Sequence, residues 1–336
     1  MRRRLASAIA YGSGQALTVL GIWDKVAAEA APILEIRVAD DNAPLFLHYD
    51  HREVGDHPLG WIVENRTMRR ALLARVRELP RLRHLAPSTV VDVERSSLGA
   101  LVRLHDGRAL HARLVAAADG KASPLRKSAG IRTIEWSYPQ IGIVTTVRHA
   151  EPHRGVAVEH FLPAGPFAIL PLTGNRSSLV WTERAALAPR IMALDESDFA
   201  DELRRRFGDF LGAVEPVGPR WSYPLAFLHA ERYGAERLVL VGDAAHVIHP
   251  IAGQGLNLGL RDVAALAEVL VDARRLGLDI GDTFAIERYE RWRRMDTWML
   301  SAATDSRNRV FSNAIPPVKL VNESRWFLQC AGEFFR

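Results

Sequence analysis

The feature that most constrains this chain is a hydrophobic run that stops at a glycine and an aspartate and then opens a glycine-bearing helix. Leu238-Val239-Leu240-Val241 is followed by Gly242-Asp243-Ala244-Ala245-His246, and the segment continues through Pro250 to Gly253-Gln254-Gly255-Leu256-Asn257. Four consecutive apolar residues read as a buried strand. Gly242 permits a tight exit, and Asp243 is carried to the strand's carboxyl end, where ligands of open α/β sheets bind. Gly253 and Gly255 flank the predicted start of a helix, whose first N–H groups lack internal partners and can hold a phosphate or a polarised ring edge. An ordinary strand-loop-helix connection needs an apolar run and a turn, but not this many constrained positions together. The pattern predicts an α/β fold that presents a carboxylate and free N–H groups to a polyanionic ligand.

A second apolar run, Leu114 to Ala118, ends in Asp119-Gly120 and is followed by Ser123, Pro124 and Arg126. Ser123 with Pro124 behind it has the form of a helix N-cap and a first-turn proline. Asp-Gly alone is a common turn dipeptide; its order ahead of Gly242-Asp243 gives it meaning. Together these elements resemble the FAD-binding signatures of the aromatic-ring flavoprotein monooxygenases, which share the p-hydroxybenzoate hydroxylase-like fold. The longer wording from Gly242 through Asn257-Leu258-Gly259-Leu260-Arg261-Asp262-Val263 is similar more narrowly to the ubiquinone-biosynthesis hydroxylases.

The resemblance implies roles residue by residue. Asp243 would bond the ribityl chain or ribose hydroxyls of FAD. Pro250, Gly253, Gln254, Gly255 and Asn257, with Gly242, Ala244 and Leu256 beside them, would contact pyrophosphate and isoalloxazine. Asp119, Gly120 and Arg126 would lie near the pyrophosphate, with a role toward the nicotinamide cofactor as well. A third stretch, Gly60 to Arg66 and the helical pattern Thr67 to Leu79, resembles the family's return into the FAD domain and places Asn65 beside the flavin. His246 and Pro250 are expected in the flavin-side loop, with His249 next to the substrate opening. Pro171 is a candidate lining residue of the aromatic site, although for it, Trp181 and Trp221 plain sheet core is the simpler reading.

A dinucleotide fold ordinarily opens with a strand, a G-x-G-x-x-G turn and a helix that seats the pyrophosphate. This sequence contains no such opening. Tyr11-Gly12-Ser13-Gly14 has no apolar strand before it and no third glycine at the needed spacing. It matches better the family segment after the second strand, where Ala6 to Ala10 leads into a helix from Gln15. The family's FAD-contacting arginine falls at Leu5, with Arg4 one place off. The expectation is an incomplete Rossmann-like FAD domain that starts roughly 40 to 50 residues late.

The 336 residues, 48% hydrophobic and 25% charged, suffice for a substantial core in one compound unit or two domains. The single cysteine, Cys330, excludes an internal disulfide framework and fits a reducing, cytoplasmic setting. No apolar run reaches the ~18 residues of a membrane span, and Met1-Arg2-Arg3-Arg4 lacks a signal peptide's apolar core. The net charge of +5 comes with no nucleic-acid module or interleaved aromatic stripe, so nucleic acid is not an expected partner. Solvated helix faces account for most of it. A second reading is attraction to an anionic bilayer at the inner face of the membrane, with Trp326, Phe327, Leu328, Phe334 and Phe335 as an interfacial segment.

Along the chain, periodicity predicts helices over Gln15 to Ala28 and Asn65 to Leu79, and two extended segments over Ile33 to Asp50. Short strands follow near Arg83 to Val90, Val91 to Glu94, Leu101 to His105 and Arg113 to Ala118, with a hairpin turn at Asp106-Gly107. Alternating strands are predicted at Gln140 to Arg148, Val156 to Phe161, Phe167 to Thr173 and Arg176 to Thr182, with one helix at Asp198 to Gly208. Helices return at about Gly255 to Leu276 and Asp282 to Arg307. The expected architecture is a FAD-binding domain (1–32, 60–133, 235–305) interleaved with an antiparallel-sheet substrate domain (33–59, 134–234) and a C-terminal helical tail (306–336).

The resemblance implies a flavin reduced by NADPH or NADH that reacts with dioxygen and, as a hydroperoxide, passes a hydroxyl group to an electron-rich phenol. Flavin and oxygen do the bond-making, and the protein orients the ring and excludes water. No metal is expected, because His246 and His249 lack a third ligand at zinc spacing. Three readings stand: hydroxylase of a polyprenylphenol in ubiquinone assembly, hydroxylase of a soluble aromatic compound, or non-catalytic subunit of a biosynthetic complex. A homo-oligomer is compatible with each.

Overall fold

Strand alternation in the middle of the chain is realised as one nine-stranded sheet. The structure, a computed structural model, describes residues 5–40, 46–250 and 253–311. The spine of this sheet is the long strand Thr133–His149, which pairs antiparallel with Arg176–Arg184 on one side and with Trp221–Ala230 on the other. From Arg176–Arg184 the sheet continues through Gly165–Leu172, Val156–Leu162, Glu35–Asp40 and Phe46–Asp50. Val156–Leu162 runs parallel to Glu35–Asp40, so the early segment is stitched into a sheet made mostly by the middle of the chain.

Each face of this sheet has its own cover. On one, Ile143, Phe167, Leu179 and Trp181 pack against the helix Glu196–Phe207. That helix starts where the Asp195 carboxylate accepts the Asp198 N–H at 2.8 Å. It buries Phe199, Leu203 and Phe207, spaced to fall on one side, and ends at Gly208. The opposite face of the sheet forms the floor of the cavity described below.

The remaining strands belong to smaller sheets. Leu238–Leu240 pairs in parallel with Val115–Ala117 and antiparallel with Gly234–Ala235. This sheet shares a core, including Tyr233, Leu266, Val269, Ile286 and Tyr289, with the helices Gly255–Arg275 and Thr283–Phe311. Among the described residues Val115–Ala117 is an edge strand, with Ala116 and Ala118 exposed. Gly60–Glu64 sits between Ala6–Ala10 and Ala31–Ile33. Val90–Ser96, Gly99–Leu104 and Ala109–Ala112 form a meander whose second turn holds Gly107 at φ +84°.

Three elements differ from expectation. The strand expected from Arg83 begins only at Val90, because Pro87, inside the expected run, cannot donate to a ladder. The helix expected over Gln15 to Ala28 spans Tyr11–Val19, breaks at Gly21 (φ +68°) and gives way to two short 3-10 turns. The strand Trp221–Ala230 is not evident in the sequence because Pro224 interrupts it. The register slips beside it, with Ser137 opposite Ala226 and Ile141 opposite Pro224, so that residues 138–140 of the central strand bulge against Leu225 and the proline stands at the edge of that bulge. The expected tail from 312 onward, with Trp326 and its neighbours, lies outside the described residues, as does Arg4.

Candidate flavin and substrate site

The two Asp-Gly elements meet through adjacent parallel strands. Leu240 lies opposite Ala117, and the Val241 N–H donates to the Ala117 carbonyl at 2.9 Å, so Asp119 and Asp243 both leave the same carboxyl edge of one sheet. Gly242 turns the chain at φ +60° into a short 3-10 turn over Gly242–Ala244. Its N–H donates to Asp262 Oδ2 at 2.8 Å. Asp262 is fully buried, and it also bonds His246 Nε2 at 2.7 Å and Arg293 Nε at 2.7 Å. Burial pushes this carboxyl up, but the His246 hydrogen bond and the charges of His246 and Arg293 outweigh it and hold the pKa below the usual aspartate value. The Gly-Asp turn is therefore moored to the helix that follows it.

The second element is tied to the first. Ser123 caps the helix Pro124–Ser128 by accepting the Arg126 N–H at 2.9 Å. Arg126 is buried, and its guanidinium donates to the carbonyls of Ala244 and Lys121, each at 2.7 Å. Asp119 stands exposed and accepts the Leu125 N–H at 3.2 Å.

The helix predicted after Gly253 begins at Gly255. Asn257, in its first turn, is buried, and its side-chain amide is consumed by backbone. Oδ1 accepts the Ala10 N–H at 2.9 Å, and Nδ2 donates to the carbonyls of Ala8 and Gly253 at 3.1 and 3.3 Å. Gly253 adopts φ +60°, and a Cβ there would meet Ala8 Cβ at 3.1 Å. At Gly255 a Cβ would meet no atom of the described residues within 4 Å, so none of them fills the space at the helix N-terminus. Asn65 accepts a hydrogen bond from Ser7 at 2.7 Å beside the same opening.

A cavity of about 650 Å³ lies between these loops and the large sheet, within the usual range for a small-molecule site. Ser7, Asn65, Met68, Arg69 and Leu72 border it on one side, and Asp243, Pro250, Gly253, Gly255 and Leu256 on another. Its floor follows the sheet register in rows: Tyr223 and Thr182 with Pro166, then Val180, Ala168, Glu159 and Val38, then Leu170, Ala157, Ile36 and Tyr49. Asp243 accepts no hydrogen bond from the described residues, and desolvation raises its carboxyl pKa. An open acceptor, a bare helix N-terminus and an apolar floor fit a flat heteroaromatic ring that carries a hydroxylated chain.

Residues 6–298 match the FAD binding domain family. Over 314 residues the chain is 54% identical to ubiquinone hydroxylase UbiL of Rhodospirillum rubrum, covering 94% of this chain and 73% of that protein. The chain belongs to the FAD-dependent monooxygenases. It is also 33% identical to the 3-demethoxyubiquinol 3-hydroxylase of Escherichia coli, over 94% of this chain and 80% of that one. PqsL of Pseudomonas aeruginosa superposes with a TM-score of 0.80 at 24% identity, over 93% of this chain and 88% of that one, and so shares its fold.

Within this monooxygenase, the cavity brings together Asn65, Asp243, Pro250, Gly253, Gly255 and Leu256. Gly242, Ala244, Gln254, Asn257, Asp119, Gly120 and Arg126 do not line it; those with described bonds support or flank the loops that do. His246 turns away into the pair with Asp262 and pairs with His229 on the sheet edge. His249 is buried edge-on against Tyr138, and burial lowers its pKa to about 4. Pro171 alternates onto the face opposite the cavity, together with Phe167 and Ile169, and Trp181 packs there against Phe199. Sequence reasoning missed Met68, Arg69, Thr182 and Tyr223. The alternation that would have revealed Tyr223 was hidden by the adjoining Pro224.

Proposed function

We propose that this monooxygenase hydroxylates the aromatic ring of a polyprenylated phenol in ubiquinone biosynthesis, with FAD as cofactor, NADPH or NADH as reductant and O2 as co-substrate. When bound, FAD supplies the activation of dioxygen with electrons from the nicotinamide. This chain's residues supply binding, orientation and dryness. Asp243 and the N–H groups at Gly255 would hold the hydroxylated chain and ring edge of the cofactor. Pro250, which has no N–H, would border the ring without competing for its polar atoms. Asp119, Gly120 and Arg126 would flank the pyrophosphate side. His246 acts through Asp262, as a positioning residue.

The observation that carries the reading is the cavity itself: a cofactor-type rim facing an apolar sheet face. Ile36, Val38, Met68 and Leu72 offer an apolar wall for a prenyl tail. The kinship with hydroxylases named for ubiquinone chemistry supports the same substrate class. The FAD-binding part is assigned to 1–32, 60–133 and 235–305, and the substrate part to 33–59 and 134–234. No helix among the described residues is long and apolar enough to cross a membrane. Exposed Trp292, Met295, Trp298 and Met299 stand among Arg288, Arg291 and Arg294, which suits contact with a bilayer surface that holds the substrate.

The test is flavin retention and turnover. Purified protein should carry FAD, and Asp243→Ala should lose it through removal of charge-assisted hydrogen bonds worth roughly 1.5 to 3 kcal/mol each. Hydroxylated prenylphenol should form with NAD(P)H and O2. Flavin occupancy unchanged in Asp243→Ala would count against the site assignment. Turnover of small soluble phenols in preference to prenylated ones would favour the soluble-substrate alternative. Binding without turnover would favour the non-catalytic one.

A further inference from the structure

We propose that Tyr223 and Thr182 form the subsite that receives the ring oxygen of the aromatic substrate, across a notch left open by Gly142. The inference rests on reading the cavity as an aromatic-substrate site. Gly142, in the central strand Thr133–His149, pairs with Tyr223 on one side and Thr182 on the other, so the three share one row and one face of the sheet. Tyr223 and Thr182 both line the cavity. A Cβ on Gly142 would lie 2.9 Å from Tyr223 Cζ and 3.2 Å from its hydroxyl oxygen, so the phenol ring leans across the glycine toward Thr182. Only glycine leaves room for that posture.

The two hydroxyls are unspent. Thr182 is 1% exposed, and its Oγ1 is buried with no hydrogen-bond partner among the described residues. A buried hydroxyl without a partner is costly and calls for one. Tyr223 makes no hydrogen bond with the described residues, and desolvation raises its pKa, so it stays protonated and acts as a donor rather than as a base. Glu159 and Tyr49, which are polar and on the same face, each have an interaction within the protein. The other floor positions, Val180, Ala168, Val38, Leu170, Ala157 and Ile36, offer no side-chain donor. A phenol that enters this cavity therefore finds free hydroxyl donors on its floor in one row. Donors directed at a phenol oxygen also favour its ionised form, which enriches the ring that must accept an electrophilic oxygen.

The test compares two probes with the same tail: 2-farnesylphenol and farnesylbenzene, which lacks the ring oxygen. Equilibrium binding to the purified protein should favour the phenol by about 10-fold or more, since each neutral hydrogen bond is worth about 5-fold. Tyr223→Phe and Thr182→Val should each lower that preference by about 5-fold, with farnesylbenzene affinity and flavin content unchanged. Gly142→Ala should lower it as well, by displacing the Tyr223 ring. If Tyr223→Phe fails to fold, Thr182→Val decides alone. A wild-type protein with no preference, or variants that keep it in full, would overturn the proposal. Flavin content is read separately: a flavin-free protein defeats the proposed function, while its preference for the phenol still decides the subsite.

Discussion

Arg126 donates from Nη1 to the carbonyl of Ala244 at 2.7 Å, joining the loop after Asp119 to the loop after Gly242. The two signatures are 118 residues apart in sequence, and this guanidinium makes them one structural unit. Its second nitrogen donates to Lys121 at 2.7 Å, so one buried cation satisfies carbonyls in both loops. The cation itself is desolvated, which lowers its pKa, and it is kept in place by those acceptors.

Arg126→Ala should cost roughly 3 kcal/mol of stability, because two carbonyls lose a charged donor and a buried side chain is deleted. Flavin should also be lost at lower denaturant than global unfolding requires. Coincident loss of flavin and fold, with the midpoint of the native protein, would show that the tie is dispensable.

Gly255→Ala separates ligand approach from folding. A Cβ there meets no atom of the described residues within 4 Å, and alanine favours a helix over glycine by roughly 0.5 to 1 kcal/mol. The melting temperature should hold or rise while FAD affinity falls at least 10-fold. Equal affinity would mean that the cofactor does not approach this N-terminus closely.

Asp262→Asn places an amide donor against at least one of three donors, the Gly242 N–H, His246 and Arg293. Breaking a buried charge cluster of this kind costs about 3 to 5 kcal/mol. Chemical denaturation should show it, and the additional loss on replacing Arg293 by Met should be much smaller than in the native background. Additive losses from the two changes would refute the coupling.

Acidification should destabilise the fold before ordinary carboxylates titrate. His229 and His249 are held by burial at a pKa of about 4, below the 6.5 of an exposed imidazole. The unfolded chain therefore binds these protons first, so their contribution is present above pH 6.5 and is lost as pH falls from there through about 4. A displacement of that size corresponds to roughly 3 kcal/mol per histidine. Denaturant midpoints measured at intervals between pH 7 and 4 should decline across the window; a flat profile would contradict the burial of neutral imidazoles.

Much of the cofactor side was legible from residues alone. The Leu238–Leu240 strand, the Gly242 turn, the Ser123 cap and the helix start at Gly255 all arise from local chemistry: apolar runs, a positive-φ glycine, a capping hydroxyl and a first-turn proline. Such signals act within a few residues, and so they survive in a one-dimensional reading. The helix at Asn65–Glu78 and the alternating strands of the middle segment were legible for the same reason.

The roles within those elements were decided elsewhere. Asn257 spends its amide on Ala8 and Ala10 because the first described strand lies beside its helix, and His246 faces Asp262 because two chain segments pack together. Tyr223, Gly142 and Thr182 fall into one row only through the register of three strands, which brings together residues 40 and 41 positions away from each other. The sequence by itself determined where the chain turns, caps and alternates, since those depend on neighbouring residues. Tertiary structure determined which side chains share a face and which polar atoms remain unspent, because pairing register and burial are set between segments distant along the chain.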